Sequence, residues 1–347
     1  MRGAELKLNK KMKILVIGSS GFIGNYLCDR LSYYGHKVIG LDNKVPVKRD
    51  ILSEFILGNI LNPEVVEKAV KEVEAIVLLA AKHHDFGISK DEFFNVNVRG
   101  MENILKCASE AGIMKFIFYS TVAVYGKVET FSTEDTPAVP ISDYGKSKLA
   151  AEGTLREWVS QEPKREVVII RPVVVFGPGN FANMYNLIDK IYRGRFIFAG
   201  EGQNIKSVAY VENLVEATTF LLERLKPGME IYNYSDYPQM NTEEIARNIA
   251  RYLSCEIPKF KIPLGLAMAA ASIFDLLGKI TGYNFPITAN RIKKFNTPTI
   301  YMSDKIRKAG FNPPIELSEG FKRMAEWYLQ SGKNAQQIRQ KDGESES

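Results

Sequence analysis

Short apolar runs alternate with longer amphipathic segments through the first half of the chain. Between residues 12 and 172, runs rich in β-branched residues predict strands at 13–17, 38–41, 55–57, 75–79, 116–119 and 167–170. Segments with helical periodicity lie between them, at 22–34, 63–73, 97–111 and 144–160. Strands that alternate with helices in this way are typical of βαβ units. We therefore predict an α/β fold with a doubly wound parallel sheet.

The alternation ends after Arg171. A helix is predicted at 184–192, and short strands near Phe196 and Ile231 flank a helix at 211–223. Residues 241–329 are mostly helical in pattern. We predict one domain over 12–172 with a contribution from 205–235, and a smaller, mostly helical C-terminal substrate lobe from 173–204 and 236–330. The polar segment 331–347 is predicted to be a disordered tail.

Composition places the chain among globular proteins. The 347 residues are 45% apolar and 25% charged, and the excess of 46 Lys and Arg over 40 Asp and Glu gives a mild charge of +6. Cys28, Cys107 and Cys255 are far apart and odd in number, which favours a reducing compartment, and residues 1–11 lack a signal peptide's apolar core. We expect a cytoplasmic protein. No metal site is predicted, and no basic and aromatic array predicts nucleic-acid binding.

A glycine-rich turn follows the first predicted strand. Gly18, Gly21 and Gly24 are spaced as GxxGxxG, and Phe22 and Ile23 begin the next helix. Such a turn brings backbone close to a pyrophosphate, which binds at the helix N-terminus of a Rossmann-like fold. A plain tight turn is the alternative interpretation.

An acidic residue ends the second predicted strand. Asp42 lies 24 residues beyond Gly18, where the dinucleotide fingerprint places a carboxylate that binds the ribose hydroxyls. A carboxylate there repels a 2′-phosphate, so the sequence favours NAD over NADP as cofactor. Lys44 is near enough to weaken this preference, and a simple strand-end turn at Asp42-Asn43 is the alternative.

A tyrosine and a lysine lie four residues apart at the start of a predicted helix. Tyr144 and Lys148 therefore share one face, where an ammonium can stabilise a phenolate for acid–base work. Thr121 follows the fifth predicted strand, at the sheet edge where such folds bind ligands, and its hydroxyl can hold a reacting oxygen. An unrelated surface pair and a threonine bonded to backbone are the alternatives.

Together these motifs resemble the extended short-chain dehydrogenase/reductase family, the NAD-dependent epimerases and dehydratases. Asn97-Val-Arg-Gly100 and Arg171-Pro-Val-Val-Val-Phe-Gly-Pro178 add to the resemblance. It implies catalytic Thr121, Tyr144 and Lys148. The cofactor-binding residues that it implies are Gly18, Gly21, Phe22, Ile23, Gly24, Asp42, Asn43, Asn59, Ile60, Ala80, Ala81, Asn97, Tyr144, Lys148 and Pro172. The family usually has Asp where Asn59 stands.

Two departures narrow the activity that the resemblance implies. The 4,6-dehydratases of the family carry Asp-Glu directly after the catalytic threonine, whereas Val122-Ala123 follow here. Ordinary UDP-hexose 4-epimerases carry Arg-Tyr-Phe-Asn where this chain has Arg171-Pro-Val-Val174. Dehydration and plain UDP-galactose chemistry are therefore both disfavoured.

Other segments resemble a bacterial O-antigen branch of the family, active in polysaccharide biosynthesis. They include Ala80-Ala-Lys-His-His-Asp85 and Lys206-Ser-Val-Ala-Tyr-Val-Glu-Asn213. The branch contains 4-epimerases of N-acetylglucosamine carried by a uridine or undecaprenyl diphosphate, and 4-keto-sugar reductases. The resemblance implies a 4-epimerase, with a reductase as the alternative, and a homodimer paired through 97–111 and 144–160. The implied substrate-binding residues are Thr121, His83, Asn183 and Lys206.

One apolar segment, 262–280, bears on the carrier of the substrate. It is long enough to span a bilayer, but Pro263, Asp275 and Lys279 count against a membrane-spanning helix. The favoured interpretation is burial in the C-terminal lobe. The alternative is a peripheral helix at the inner face of the membrane, with Arg291, Lys293 and Lys294 nearby to meet anionic lipid.

Overall fold

The computed structural model describes residues 10–82, 88–127, 130–281 and 288–332. Its strands begin and end close to the predicted ones in the first half of the chain. They are β1 Lys13–Ile17, β2 Lys37–Asp42, β3 Glu54–Leu57, β4 Ala75–Leu78, β5 Lys115–Tyr119, β6 Glu166–Pro172, β7 Val174–Phe176, β8 Phe198–Ala199, β9 Ile205–Lys206, β10 Val208–Tyr210, β11 Gly228–Tyr234, β12 Met240–Asn241 and β13 Lys261–Ile262.

The helices follow the predicted crossovers. They are α1 Phe22–Tyr33, α2 Pro63–Ala69, α3 Lys90–Phe94, α4 Gly100–Glu110, α5 Asp143–Ser160, α6 Asn183–Tyr192, α7 Val211–Leu222, α8 Thr242–Tyr252, α9 Leu264–Thr281, α10 Ala289–Asn296, α11 Asp304–Lys308 and α12 Leu317–Trp327. The predicted helix over 97–111 is split, because Asn95–Arg99 forms a π-helical turn before α4. Val122–Tyr125 forms a 3₁₀ turn after β5, and Tyr328–Gly332 a π-helical turn after α12.

Within the described residues, seven strands form one parallel sheet in the order β3-β2-β1-β4-β5-β6-β11. The chain leaves β1 toward β2 on one side and returns to β4 on the other. The order therefore reverses between β1 and β4, and open α/β sheets bind their ligands at such a switch point, beyond the carboxyl ends of the strands. The predicted doubly wound, Rossmann-like fold is confirmed.

Both faces of the sheet are covered. Alternate residues of the central strands, such as Val16 and Ile117, join a core that also contains α1 and α7 residues. The intervening residues, such as Ile17 and Phe116, join a second core with α2, α4 and α5. Strands that are buried on both faces have continuous apolar sequences rather than alternating ones. For this reason the strands could be predicted from the sequence.

The chain divides into two compact units. The first comprises 1–175, 209–235 and 301–314, and it holds the seven-stranded sheet. The second comprises 176–208, 236–300 and 315–347. Its helices α6, α8 and α12 pack together, and aromatic rings such as Tyr185, Trp327 and Tyr328 contact one another there. The division into a cofactor domain and a substrate lobe stays a prediction.

Helix α9 lies in the second unit and covers most of the apolar segment 262–280. Up to Phe274 it buries Ala267 and Ala271, whereas Leu266 and Ile273 are 66% and 61% exposed. Burial of this segment in the lobe is therefore wrong for most of residues 264–274, because only Ala267 and Ala271 are buried there and Met268 is partly buried. The side chains of Asp275 and Lys279 lie outside the described residues. Among the helices described, none combines the length and apolarity that crossing a bilayer requires.

Candidate active site

The glycine turn joins β1 to α1 at the sheet's switch point. Gly18 has a φ of +91°, and a Cβ there would lie 2.6 Å from the backbone nitrogen of Ala80. A Cβ on Gly24 would lie 2.1 Å from the carbonyl oxygen of Gly18. Both positions therefore require glycine for close backbone approach, and the plain-turn alternative does not explain the second of them.

The first turn of α1 is suited to an anion. Its N-cap is Gly21, which supplies no side-chain acceptor, and no acidic residue lies in the first turn. The backbone amides there, including those of Phe22 and Ile23, are the positive end of the helix dipole. A dinucleotide pyrophosphate fits this turn, since it supplies the negative charge and the acceptors that the helix start lacks.

Asp42 ends β2 beside the glycine turn. Its Oδ2 accepts a hydrogen bond from the Ser20 backbone N–H at 2.9 Å, and its Oδ1 accepts one from the Lys44 N–H at 3.0 Å. The Ser20 hydroxyl in turn donates to the Lys44 carbonyl at 2.6 Å. These bonds fix the carboxylate relative to the glycine turn. Ser20 was not identified from the sequence as part of this arrangement.

We expect the Asp42→Ala variant to discriminate between NAD and NADP at least tenfold less than the wild type. A hydrogen bond to a charged carboxylate contributes about 1.5–3 kcal/mol, and the repulsion of a 2′-phosphate is lost as well. The measurement is the ratio of dissociation constants for the two cofactors by calorimetry. Asp29→Ala, an exposed acid on α1, is the control and should keep the wild-type ratio. Unchanged discrimination in Asp42→Ala would contradict the ribose assignment.

Helix α5 carries Tyr144 and Lys148 in its first two turns. The helix begins after Ser142, whose hydroxyl accepts a hydrogen bond from the Gly145 N–H at 3.1 Å. Tyr144 is half-buried, and Lys148 is 2% exposed with its Nζ 4.1 Å from the centre of the Phe118 ring. Burial lowers the pKa of Lys148 to about 7, and the Glu152 carboxylate opposes that shift. Lys148 is therefore no exposed surface residue.

Thr121 lies two residues after the end of β5, at the carboxyl edge of the sheet. Its Oγ1 accepts a hydrogen bond from the Ala123 N–H at 3.1 Å and so caps the 3₁₀ turn Val122–Tyr125. The side chain is partly exposed. An oxygen that accepts from backbone still carries its own O–H donor, which suits a residue that binds a substrate oxygen.

Asn97 connects the end of β4 to α5. Its Oδ1 accepts a hydrogen bond from the Lys82 N–H at 3.0 Å, and its Nδ2 donates to the Lys82 carbonyl at 3.2 Å. The same Nδ2 donates to the Ser147 hydroxyl at 2.9 Å, and that hydroxyl donates to the Tyr144 carbonyl at 2.8 Å. Asn97 thus fixes the backbone that carries Tyr144. A direct contact of Asn97 with the cofactor stays a prediction.

The other predicted cofactor residues lie along the carboxyl edge of the sheet. Ala80 and Ala81 follow β4 and are partly buried, and Pro172 is the buried last residue of β6. Asn43 and Asn59 are exposed after β2 and β3. The side chain of Ile60 is 7% exposed and packs in the core with α2 and α4. Their contacts to a cofactor stay predictions.

The predicted substrate residues Lys206 and Asn183 belong to the second unit. Lys206 forms part of β9 in the second unit, and its ammonium donates a hydrogen bond to the Thr297 carbonyl at 2.6 Å. Partial burial lowers the pKa of Lys206 to about 8. Asn183 is the exposed first residue of α6. His83 lies outside the described residues.

The geometry of the first unit therefore combines an anion-binding helix start, a strand-end acid, and a tyrosine–lysine pair beside a threonine. Residues 14–234 match the model of the NAD dependent epimerase/dehydratase family. The match spans more than half of the chain, so the protein belongs to this family and is an NAD-dependent enzyme. The predicted family is confirmed.

Individual proteins to which the chain is similar include two sugar 4-epimerases. The chain is 35% identical over 315 residues to N-acetyl-alpha-D-glucosaminyl-diphospho-ditrans,octacis-undecaprenol 4-epimerase of Escherichia coli O157:H7, covering 90% of this chain and 94% of the relative. It is 29% identical over 327 residues to UDP-glucose 4-epimerase of Vibrio cholerae, covering 92% and 96%. In fold it is similar to the Thermotoga maritima UDP-glucose 4-epimerase crystallised with UDP-glucose. The TM-score is 0.74 at 23% identity, over 92% of this chain and 99% of that one.

Proposed function

We propose that the protein is a 4-epimerase of an N-acetylhexosamine carried by a diphosphate. The observation that carries the proposal is the helix α5 pair, in which the buried Lys148 lies one turn from the half-buried Tyr144, together with Thr121 just beyond the end of β5. The relative from Escherichia coli O157:H7, whose name describes this reaction on an undecaprenol carrier, supports the same assignment.

The chain's own residues would carry the proton in this reaction. Bound NAD supplies the acceptor and donor of the C4 hydride. Tyr144 accepts the proton of the C4 hydroxyl as a phenolate, which the Lys148 ammonium stabilises. Thr121 holds the same sugar oxygen, and Tyr144 returns the proton after the keto sugar has turned. Val122 and Ala123 offer no carboxylate for elimination.

The proposal assigns the substrate diphosphate to Lys206 and Asn183. A diphosphate that stays bound while the keto sugar turns would let the hydride return to the opposite face. A partly buried ammonium forms strong, charge-assisted hydrogen bonds with phosphate oxygens. At a pKa of about 8 most of the Lys206 side chains are charged at neutral pH.

The proposal is tested by incubating the purified protein with UDP-N-acetylglucosamine and, separately, with undecaprenyl-diphospho-N-acetylglucosamine. We expect a galacto-configured product from at least one, seen by NMR of the C4 proton, with no net absorbance change at 340 nm. Absence of product from both substrates would contradict the proposal. Stoichiometric consumption of a reduced cofactor with a 4-keto sugar would instead favour the reductase.

We further propose that the undecaprenyl-linked sugar is the substrate and that α9 contacts the inner face of the membrane. The support is the apolar exposure of the segment 260–274, in which Phe260, Leu266 and Ile273 are 69%, 66% and 61% exposed. Lys259 and Lys293 are exposed nearby in the chain, and apolar surface with basic charge suits anionic lipid. Arg291 and Lys294 have side chains outside the described residues.

We expect the wild-type protein to sediment with phosphatidylglycerol vesicles and to bind phosphatidylcholine vesicles at least fivefold less. Leu266→Glu should reduce sedimentation with the anionic vesicles, because it places a carboxylate on the proposed contact surface. Val47→Glu is the matched control, since Val47 is 86% exposed in the other unit. Equal binding of the two variants would contradict the proposed contact.

The proposal also includes a homodimer and a cytoplasmic location. Helix α5 supports the dimer, because Gly153 faces open space and Leu149 and Ala150 are only partly buried, so a second helix could approach this surface closely. The three cysteines support the location, since all are free and two are buried.

A further inference from the structure

A buried ion pair lies directly beneath the candidate catalytic residues. Glu152 on α5 is 0% exposed, and its Oε1 accepts hydrogen bonds from the Arg171 Nε at 2.9 Å and from the Ser120 hydroxyl. Its Oε2 accepts a second bond from the Arg171 guanidinium, so the pair is bidentate. Arg171, near the end of β6, is itself 4% exposed.

The guanidinium is held on its other side as well. Arg171 donates from Nη1 to the Tyr125 hydroxyl at 2.9 Å, and that hydroxyl donates to the Asn233 Oδ1 at 2.7 Å. The Arg171 guanidinium also lies 4.9 Å from the centre of the Tyr125 ring. A fully buried ion pair adds little stability compared with apolar side chains of the same size. Stability alone therefore does not explain why the Glu152–Arg171 pair lies at this position.

Glu152 contacts or adjoins each element that carries a candidate catalytic group. It lies one helical turn after Lys148 on α5, which places the two side chains on one face. Ser120, which it binds, directly precedes Thr121 at the end of β5. Arg171, which it also binds, directly precedes Pro172 at the end of β6. One carboxylate thus joins three elements at the carboxyl edge of the sheet.

The charge of Glu152 also acts on Lys148. The groups that act on this ammonium are the Phe118 ring on β5 and the Glu152 carboxylate on α5, which is itself paired with the Arg171 guanidinium from β6. Burial lowers the pKa of Lys148 to about 7, and Glu152 raises it. Without the carboxylate, the pKa of Lys148 would fall further, and the amine would be less able to stabilise a phenolate.

We propose that Glu152 is a positioning residue that keeps the Lys148 side chain charged and holds the Thr121 strand end beside it. This inference rests on the proposed roles of Tyr144, Lys148 and Thr121. It assigns to the ion pair a task beyond folding: Arg171 and Ser120 hold the carboxylate one helical turn after Lys148, on the same face of α5.

The test measures the titration of Lys148 directly in the purified full chain, by NMR of the side-chain ¹⁵Nζ and ¹³Cε signals in lysine-labelled protein. The Lys148→Met variant assigns the signal. We expect Glu152→Gln to lower the pKa of Lys148 by at least one unit and Arg171→Met to raise it, because the first change removes an anion and the second a cation. The matched control is Glu216→Gln on α7, which breaks the pair of the buried Glu216 with the partly buried Arg30 and should leave the Lys148 titration unchanged.

A purely structural role predicts lower thermal stability for Glu152→Gln, Arg171→Met and Glu216→Gln and no shift of the Lys148 titration in any of them. This result would overturn the proposal. If Glu152→Gln does not fold, Arg171→Met and the charge-retaining Glu152→Asp still test the proposal. It would be contradicted if the pKa of Lys148 does not rise in Arg171→Met, or if it shifts by a full unit in Glu152→Asp.

Activity provides a second readout. Glu152→Gln should lose at least tenfold in turnover at pH 8, and its alkaline limb should move to lower pH, with partial recovery in Glu152→Asp. Failure of the wild type to turn over any substrate would contradict the proposed function, whereas the NMR titration would still decide the role of Glu152.

Discussion

Replacing Tyr144 with phenylalanine is expected to reduce turnover about 1,000-fold, because the variant has no phenol to accept and return the C4 proton. The ring itself is retained, including its contact with Phe93, whose centre lies 6.1 Å away. The fold and the glycine turn should therefore be unaffected, and the dissociation constant for NAD should change less than threefold. The measurements are the rate of C4 epimerisation and calorimetric titration with NAD.

Tyr33→Phe is the control for this variant. Tyr33 is 74% exposed on α1 and loses the same hydroxyl group, so its turnover should stay within twofold of the wild type. Turnover in Tyr144→Phe within tenfold of the wild type would remove Tyr144 as the acid–base group. A loss of NAD binding together with turnover would show that the side chain acts on the cofactor site instead.

The second large effect is expected at Gly24. In Gly24→Ala, the new Cβ would lie 2.1 Å from the Gly18 carbonyl oxygen, so either α1 or the glycine turn must move. Overpacking of this kind costs up to about 3 kcal/mol of unfolding free energy. The displaced turn should also weaken NAD binding at least 100-fold. Urea unfolding and cofactor titration measure the two effects.

Gly265→Ala is the matched control, because it makes the same chemical change inside helix α9. A Cβ there meets no atom within 4 Å, so the substitution should not lower the free energy of unfolding and should leave NAD binding unchanged. Equal behaviour of the two alanine variants would contradict the close approach of backbone at Gly24.

The parallel sheet could be predicted because its strands are buried on both faces and separated by long helices. The bounds of β1, Lys13–Ile17, agree with the sequence pattern at both ends. The return of residues 301–314 to the first unit had no such signal. That segment is held by contacts distant in sequence, such as the hydrogen bond of the Ser235 hydroxyl to the Tyr301 carbonyl, which no local pattern encodes.

Some residues of the candidate site could likewise be predicted from the sequence, and others could not. Glycine spacing, the strand-end Asp42 and the Tyr144–Lys148 interval are local in sequence, and each is visible in the printed chain. Ser20, Ser147 and Glu152 act through partners from 3 to 50 residues away, and serine and glutamate in a helix or turn are too common to stand out. The exposure of α9 was not predictable either, since apolar composition is the same for a buried helix and for one that faces outward.

The linkage through Asn97 has a consequence for the energetics of catalysis. Its bonds to Lys82 and Ser147 fix the start of α5 against the end of β4 as soon as the protein folds. The entropy of ordering the backbone that carries Tyr144 is therefore lost when the protein folds and not when the substrate binds. The site is preorganised, because the backbone of Tyr144 is already in position before the substrate binds. The binding energy of the substrate can therefore orient the sugar.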